Sequence, residues 1–212
     1  MRVTDIETTR KMDRRAMTEY GIPGILLMDN AALAVQKHLD LSQNYFVIIC
    51  GTGNNGGDGF ALASQLTRLQ KEVDVFLVSE ERSPGGDAGV FFGIIEKMGV
   101  SIETISDEDH LWSFIEAMKD ADVVIDALLG TGISGEVSAL YRSVIDNMND
   151  FAPKIVSVDV PSGLSAETGE PMPVAVHASK TVTFETIKKG LLSYKALPYI
   201  GSLKVEPIGI PS

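Results

Sequence analysis

Tyr45-Phe46-Val47-Ile48-Ile49-Cys50-Gly51-Thr52-Gly53-Asn54-Asn55-Gly56-Gly57-Asp58-Gly59 is the stretch that decides the fold. Its first six residues form a short, unbroken apolar run, the signature of a strand buried on both faces. Glycine then fills five of the ten positions from Cys50 to Gly59, which lets the backbone turn tightly and approach a ligand closely. A helix is expected from about Asp58 to Leu69. Working outward, Val73–Val78, Val100–Ile105, Asp122–Asp126, Lys154–Val160, Lys180–Phe184 and Ser202–Val205 read as further strands. Helical patterns fall between them over Asp87–Met98, Glu108–Met118 and Ser138–Met148. Strand alternating with helix predicts an α/β fold: a doubly wound, mainly parallel sheet with helices on both faces. Two N-terminal helices precede it. Thr4-Asp5-Ile6-Glu7 fits a capping box for the first. The second, Ile25–Leu39, has an apolar face broad enough to meet a sheet or another subunit.

The chain has 212 residues and a formal net charge of −11, enough length for one domain, 1–212, burying roughly 70% of its unfolded surface. An acidic balance excludes the basic field that sequence-independent nucleic-acid binding needs, so no nucleic-acid partner is expected. It leaves room for a small anionic ligand held by backbone N–H groups. No stretch is apolar enough to span a membrane, the amino terminus lacks a secretory h-region, and Cys50 is the only cysteine. A cytoplasmic protein without disulfide or Cys-based zinc site is the expectation. His38, His110 and His177 show no metal or triad spacing, Ser162 lacks the strained elbow of a hydrolase nucleophile, and Trp112 and the methionines are expected to pack.

Three loops carry the chemistry. Gly51-Thr52-Gly53 opens like a dinucleotide fingerprint, and Gly56 completes G-x-G-x-x-G. Yet Gly56 stands before Gly57-Asp58-Gly59 instead of opening a helix directly, which weakens an ordinary NAD-dependent dehydrogenase reading. Glu80 and Glu81 make the usual acid test at the second strand ambiguous. The second loop is Asp126-Ala127-Leu128-Leu129-Gly130-Thr131-Gly132, and the third is Val158-Asp159-Val160-Pro161-Ser162-Gly163. In a parallel sheet all three leave the same edge, so Asn55, Asp58, Asp126, Asp159 and Ser162 can converge. Carboxylate, hydroxyl and amide oxygens suit a hard cation and argue against zinc.

These loops, with Thr181-Val182-Thr183-Phe184, Lys188, Gly190 and the closing Gly209-Ile210-Pro211, resemble the YjeF N-terminal domain, the NAD(P)H-hydrate epimerase family. The resemblance covers essentially the whole chain. It implies a Rossmann-like fold, a homodimer, and a small-molecule substrate: the hydrated nicotinamide dinucleotides NADHX and NADPHX. It implies that Asn54, Asn55, Gly56, Gly57 and Asp58 line the dinucleotide site, joined by Gly130, Thr131, Gly132, Ile133, Ser134, Gly135, Glu136 and Asp159. It also implies a potassium ion held by Asn55, Asp126 and Ser162. Two departures stand out. Glu185-Thr186-Ile187-Lys188 replaces the family's Gly-Val-Pro-Lys, keeping only the lysine, and Ser64 stands where an arginine is common.

The carbon to be inverted is C6 of the hydrated ring, which bears a hydroxyl and is bonded to the ring nitrogen. Acid-assisted loss of the hydroxyl, stabilised by the nitrogen lone pair, followed by water addition from the other face, needs a carboxyl that gives and takes a proton. Asp159 is the expected catalytic residue, with Lys188 assisting; a surface lysine is the other reading of Lys188. The ion would fix loops and the diphosphate. A non-catalytic nucleotide-binding or scaffold module of the same fold is the alternative function. Its discriminator is decay at Asn55, Asp126, Asp159 or Ser162, all of which are present. Some family members carry a dehydratase domain, and the chain is expected to stand alone or to be one domain of such a protein.

Overall fold

A computed structural model describes residues 2–79, 83–132 and 137–211. The elements run β1 (Val3–Thr4), α1 (Ile6–Thr18), α2 (Gly24–Gln36), β2 (Tyr45–Cys50), α3 (Asn54–Arg68), β3 (Glu72–Val78), α4 (Gly86–Lys97) and β4 (Ser101–Ile105). They continue with α5 (Leu111–Asp120), β5 (Val123–Ala127), α6 (Ala139–Phe151), β6 (Ile155–Val158), β7 (Lys180–Phe184), β8 (Ile187–Lys188), α7 (Leu197–Ile200) and β9 (Ser202–Glu206). Seven strands form one sheet in the order β4-β3-β2-β5-β6-β7-β9, and every pairing in it is parallel. The doubly wound parallel sheet read from the sequence is the observed one.

The sheet alternates as the pleat requires. Phe46, Ile48 and Cys50 of β2 point into a core shared with α2, α3 and α4, while Val47 and Ile49 point into a second core built with α5 and α6. Each such buried side chain contributes roughly 1.5–3 kcal/mol of hydrophobic stabilisation. Winding runs outward from β2 to β4, then crosses back to β5. Right-handed crossovers on a reversed path place their helices on the opposite face, which is why the two faces of the sheet carry separate cores. The reversal falls between β2 and β5, and in open parallel sheets ligands bind outside the carboxyl ends of the strands at such a point.

Three local expectations need correction. The first helix is capped by Asp5, whose carboxylate accepts from Thr8 N at 2.7 Å. Thr4 cannot cap, because its hydroxyl is held by Thr186 (2.6 Å) and Thr9 (2.9 Å), and Glu7 pairs with Lys11 instead of reaching back. The helix expected from Asp58 begins at Asn54, so Gly56 does sit inside its first turn and the stated objection to the glycine fingerprint falls away. Gly56 is required there by packing: a Cβ at this position would lie 1.8 Å from Gly51 O. Trp112 does not pack; it is 74% exposed. The short β1 and β8, which pair in parallel through Val3–Ile187 and Thr4–Lys188, carry too few residues for periodicity to reveal.

Candidate active site

At the reversal point a cavity of about 760 Å³ opens, within the range typical of small-molecule sites, roughly 300–1,000 Å³. Its floor is the start of α3. Gly53 ends the loop in extended conformation with no side-chain cap on the helix, so the first-turn N–H groups of Asn54, Asn55 and Gly56 are offered by backbone geometry alone. A Cβ at Gly53 would meet nothing within 4 Å. That position is open because it borders the cavity.

Asp126 ends β5 fully buried. One carboxylate oxygen accepts from Ser157 Oγ (2.7 Å) and from Ser162 N (2.8 Å). The other accepts from Ser162 Oγ in a short bond and from Leu128 N at 3.4 Å. Burial raises the carboxyl above its ordinary range, and the hydrogen bonds from Ser162, Ser157 and Leu128 oppose that shift without cancelling it. Among the described residues Asp126 has no ion-pair partner. Ser162 Oγ also accepts from Leu129 N at 2.8 Å, and Asn55 Nδ2 donates to Leu129 O at 3.0 Å. Asn55, Leu129, Asp126 and Ser162 therefore form one connected oxygen-rich group below the cavity, with a single carboxylate in it. That donor set, neutral oxygens around one formal charge, matches a monovalent hard cation better than a divalent one. No cluster of three or more His, Cys, Asp or Glu suited to a metal exists among the described residues.

Asp159 and Lys188 meet at the cavity wall. Asp159 sits in the left-handed region (φ 64°), an uncommon state for a side-chain-bearing residue and one that Asp and Asn tolerate best. The turn aims its carboxylate at β7. There it accepts from Thr183 Oγ1 (2.9 Å) and forms a short ion pair with Lys188 Nζ. Lys188 is buried, and its ammonium also donates to Thr183 Oγ1 (2.9 Å) and Phe184 O (3.1 Å). The surface-lysine reading of Lys188 is thus excluded. The Glu185 departure has a structural answer as well. Glu185 adopts φ 58°, where glycine would be easy, and its Oε1 accepts from Ile208 N (2.7 Å), Gly209 N (3.0 Å) and Ile210 N (2.9 Å). The glutamate thereby fastens the C-terminal segment, whose Ile208 and Ile210 help wall the cavity. Ser64 packs in the core, its hydroxyl turned back to Ala61 O at 2.8 Å.

Of the residues singled out from sequence, Asn54, Asn55, Asp58, Gly130, Thr131, Gly132, Asp159 and Lys188 line the cavity. Gly56 and Gly57 lie behind it in α3, where Gly57 meets Met28. Ile133, Ser134, Gly135 and Glu136 lie outside the described residues, as do Glu80 and Glu81. Sequence reasoning missed the contribution of α1. Thr9, Asp13 and Met17, spaced by four on one helix face, line the cavity with Arg10. Arg10 spans the opening, donating to Thr131 O at 2.9 Å. Burial, with the negative charges of Asp159 and Asp13, pushes the Asp58 carboxyl well up, against the pull of Lys188. Burial first, and then Asp159 and Glu185, raise that of Asp13, again opposed by Lys188.

Residues 25–190 match the model of the family described as YjeF-related protein N-terminus. The chain is 39% identical over 95% of its length to a bifunctional NAD(P)H-hydrate repair enzyme Nnr of Moorella thermoacetica, and spans 39% of that relative. It is 33% identical over 99% of its length to an NAD(P)H-hydrate epimerase of Pirellula staleyi, and covers 93% of that protein. The fold is also that of the crystal structure of the yeast protein ynu0: TM-score 0.79, 19% identity, 90% of this chain and 83% of that one covered.

Proposed function

The chain belongs to the family of YjeF-related protein N-termini, and on that premise we propose that it is an isomerase that interconverts the R and S forms of hydrated NADH and NADPH at C6 of the nicotinamide ring. The observation that carries the reading is the Asp159–Lys188 pair at the wall of a cavity whose floor is an uncapped helix start. The α3 N-terminus suits the diphosphate, because free N–H groups and the helix dipole favour an anion without any basic surface. Arg10 adds a cation at the rim. The ring then lies toward Asp159, which exchanges protons with the C6 oxygen as hydroxyl leaves and water returns. Lys188 keeps the Asp159 carboxylate aimed between those events. The test is a coupled assay: mixed R and S hydrates, an S-specific dehydratase and ATP. With the chain added the R epimer is consumed; if it persists as in the protein-free control, the reading fails. The bifunctional hydrate-repair enzymes among its relatives support a second hydrate-repair activity as its working partner.

Asn55, Asp126 and Ser162, with the Leu129 carbonyl, would hold a potassium ion. When bound it supplies charge neutralisation at Asp126 and ties the three loops together. The expected result is a higher melting temperature in potassium chloride than in tetramethylammonium chloride at equal ionic strength, with the difference lost in Asp126→Asn. Equal melting of the native chain in the two salts would contradict it.

A homodimer belongs to the same proposal. Leu26 and Leu33 of α2 and Val90 and Ile94 of α4 are all more than a third exposed, leaving the broad apolar face of α2 only half used. Sedimentation velocity should give a dimer mass, and a single monomer boundary at micromolar concentration would refute it. No described helix is long and apolar enough to cross a membrane. We place the chain in the cytoplasm, consistent with its one cysteine being free and buried; cell fractionation tests this.

A further inference from the structure

Epimerisation needs proton transfer on both faces of one ring carbon, and Asp159 reaches the cavity from one element only, the connection after β6. A second carboxyl stands on α1. Asp13 lines the same cavity as Asp159, Lys188 and Asp58. It shares the inward face of α1 with Thr9 and Met17, one turn from the buried Ala16. α1 is fastened over the site from its N-terminal side, by the Thr4–Thr186 hydroxyl bond at 2.6 Å just before the helix and by the Arg10 bond to Thr131 O. Asp13 is half-buried, yet among the described residues it accepts no hydrogen bond and forms no ion pair. A carboxyl in that condition is costly unless it is protonated or has a ligand to bind. Asp159, by contrast, is tied to Lys188.

We propose that Asp13 is a second catalytic residue, the acid that protonates the departing C6 hydroxyl while Asp159 receives a proton from the water that re-adds on the opposite face; this rests on the epimerase reading above. The step balances. The Asp13 O–H bond breaks and its proton goes to the C6 oxygen. The C6–O bond breaks and water leaves with the electron pair. The ring-nitrogen lone pair forms the C=N bond of a cation. A water molecule then bonds to C6 from the other side, closing the lone pair back onto nitrogen, and releases a proton to the Asp159 carboxylate. The net transfer from Asp13 to Asp159 is reversed through solvent, and the reverse reaction uses the two carboxyls in exchanged roles. Two carboxyls at one cavity, one paired to a lysine and one without a partner among the described residues, suit acid–base work at one centre. The charged groups that line the cavity with Asp13 are Arg10 on α1 itself, Asp58 on α3, Asp87 on α4, Asp159 after β6, and Glu185 and Lys188 beyond β7. Burial is the main cause that keeps a proton on Asp13; Lys188 opposes it, and Asp159 and Glu185 add to it.

The test is Asp13→Asn, assayed with purified R-hydrate. The expected result is a kcat lowered roughly a hundredfold or more, KM and melting temperature close to wild type, and loss of the alkaline limb of the kcat profile. Wild type declines as pH rises through the acid's pKa, whereas the amide has no proton to lose. A kcat of the same order as wild type, or an unchanged alkaline limb, overturns the proposal. If Asp13→Asn melts early, Asp13→Glu decides: turnover with the alkaline limb retained supports the acid role, and turnover as low as that of the amide overturns it. Wild type that fails to epimerise at all refutes the underlying activity instead, so the two failures are distinguishable.

Discussion

Asp159→Asn lowers kcat for hydrate epimerisation by roughly 10²–10⁴-fold, the usual contribution of a positioned acid or base, with KM changed far less. Asparagine is the informative replacement because it also tolerates the left-handed backbone that Asp159 adopts at φ 64°; alanine would confound chemistry with strain. Removing the carboxylate leaves the Lys188 ammonium buried without its counter-charge, though Thr183 Oγ1 and Phe184 O still accept from it. Breaking a buried ion pair from one side costs about 3–5 kcal/mol in general, so the variant should also melt early. Asp159→Asn combined with Lys188→Met removes the stranded charge and should recover much of that stability while recovering no turnover. Turnover within a few-fold of wild type in the single variant, measured by chromatographic separation of the epimers, would remove Asp159 from the chemistry.

Gly56→Ala has the largest expected effect on folding. A Cβ there would stand 1.8 Å from Gly51 O and 2.7 Å from Gly51 C. Both contacts are backbone, at the junction of β2 with the helix that follows it, so neither neighbour has a rotamer through which to escape. Overpacking generally costs about 1–3 kcal/mol and sometimes more; a rigid backbone clash at this junction belongs at or above the top of that range. Gly53→Ala, at the residue immediately before α3 and with nothing near its would-be Cβ, should shift stability by no more than about 0.5 kcal/mol. Urea unfolding of the two variants makes the comparison. Equal midpoints would mean that the glycine spacing is not set by strand–helix packing.

The contrast between those glycines also shows what the sequence could and could not reveal. The sheet was legible because strands buried on both faces, such as Tyr45–Cys50, announce themselves by unbroken apolar runs. The site loops were legible because glycine, amide and carboxylate cluster only at strand ends. The start of α3 was misplaced because glycine has poor intrinsic helix propensity, and here close packing against Gly51 overrides propensity. Thr4 was misread as a cap because nothing local signals that Thr186, more than 180 positions later, would claim its hydroxyl. Asp13 was invisible for a related reason. A single acid on an amphipathic helix looks like solvated surface until α1 is docked, and that docking is set by β1 and β8, two residues each. Lys188 had two readings in the sequence, an assistant to Asp159 or a surface lysine, and only its burial against Asp159 decides between them.

The central claim, that this cavity inverts C6 of a hydrated nicotinamide ring, is tested most directly by incubating purified R-NADHX with the native chain and following both epimers chromatographically. The predicted result is appearance of the S epimer to the same final ratio as in the protein-free sample, reached much sooner, with Asp159→Asn close to the protein-free rate. An R-to-S conversion no faster with the native chain than without it would contradict the account.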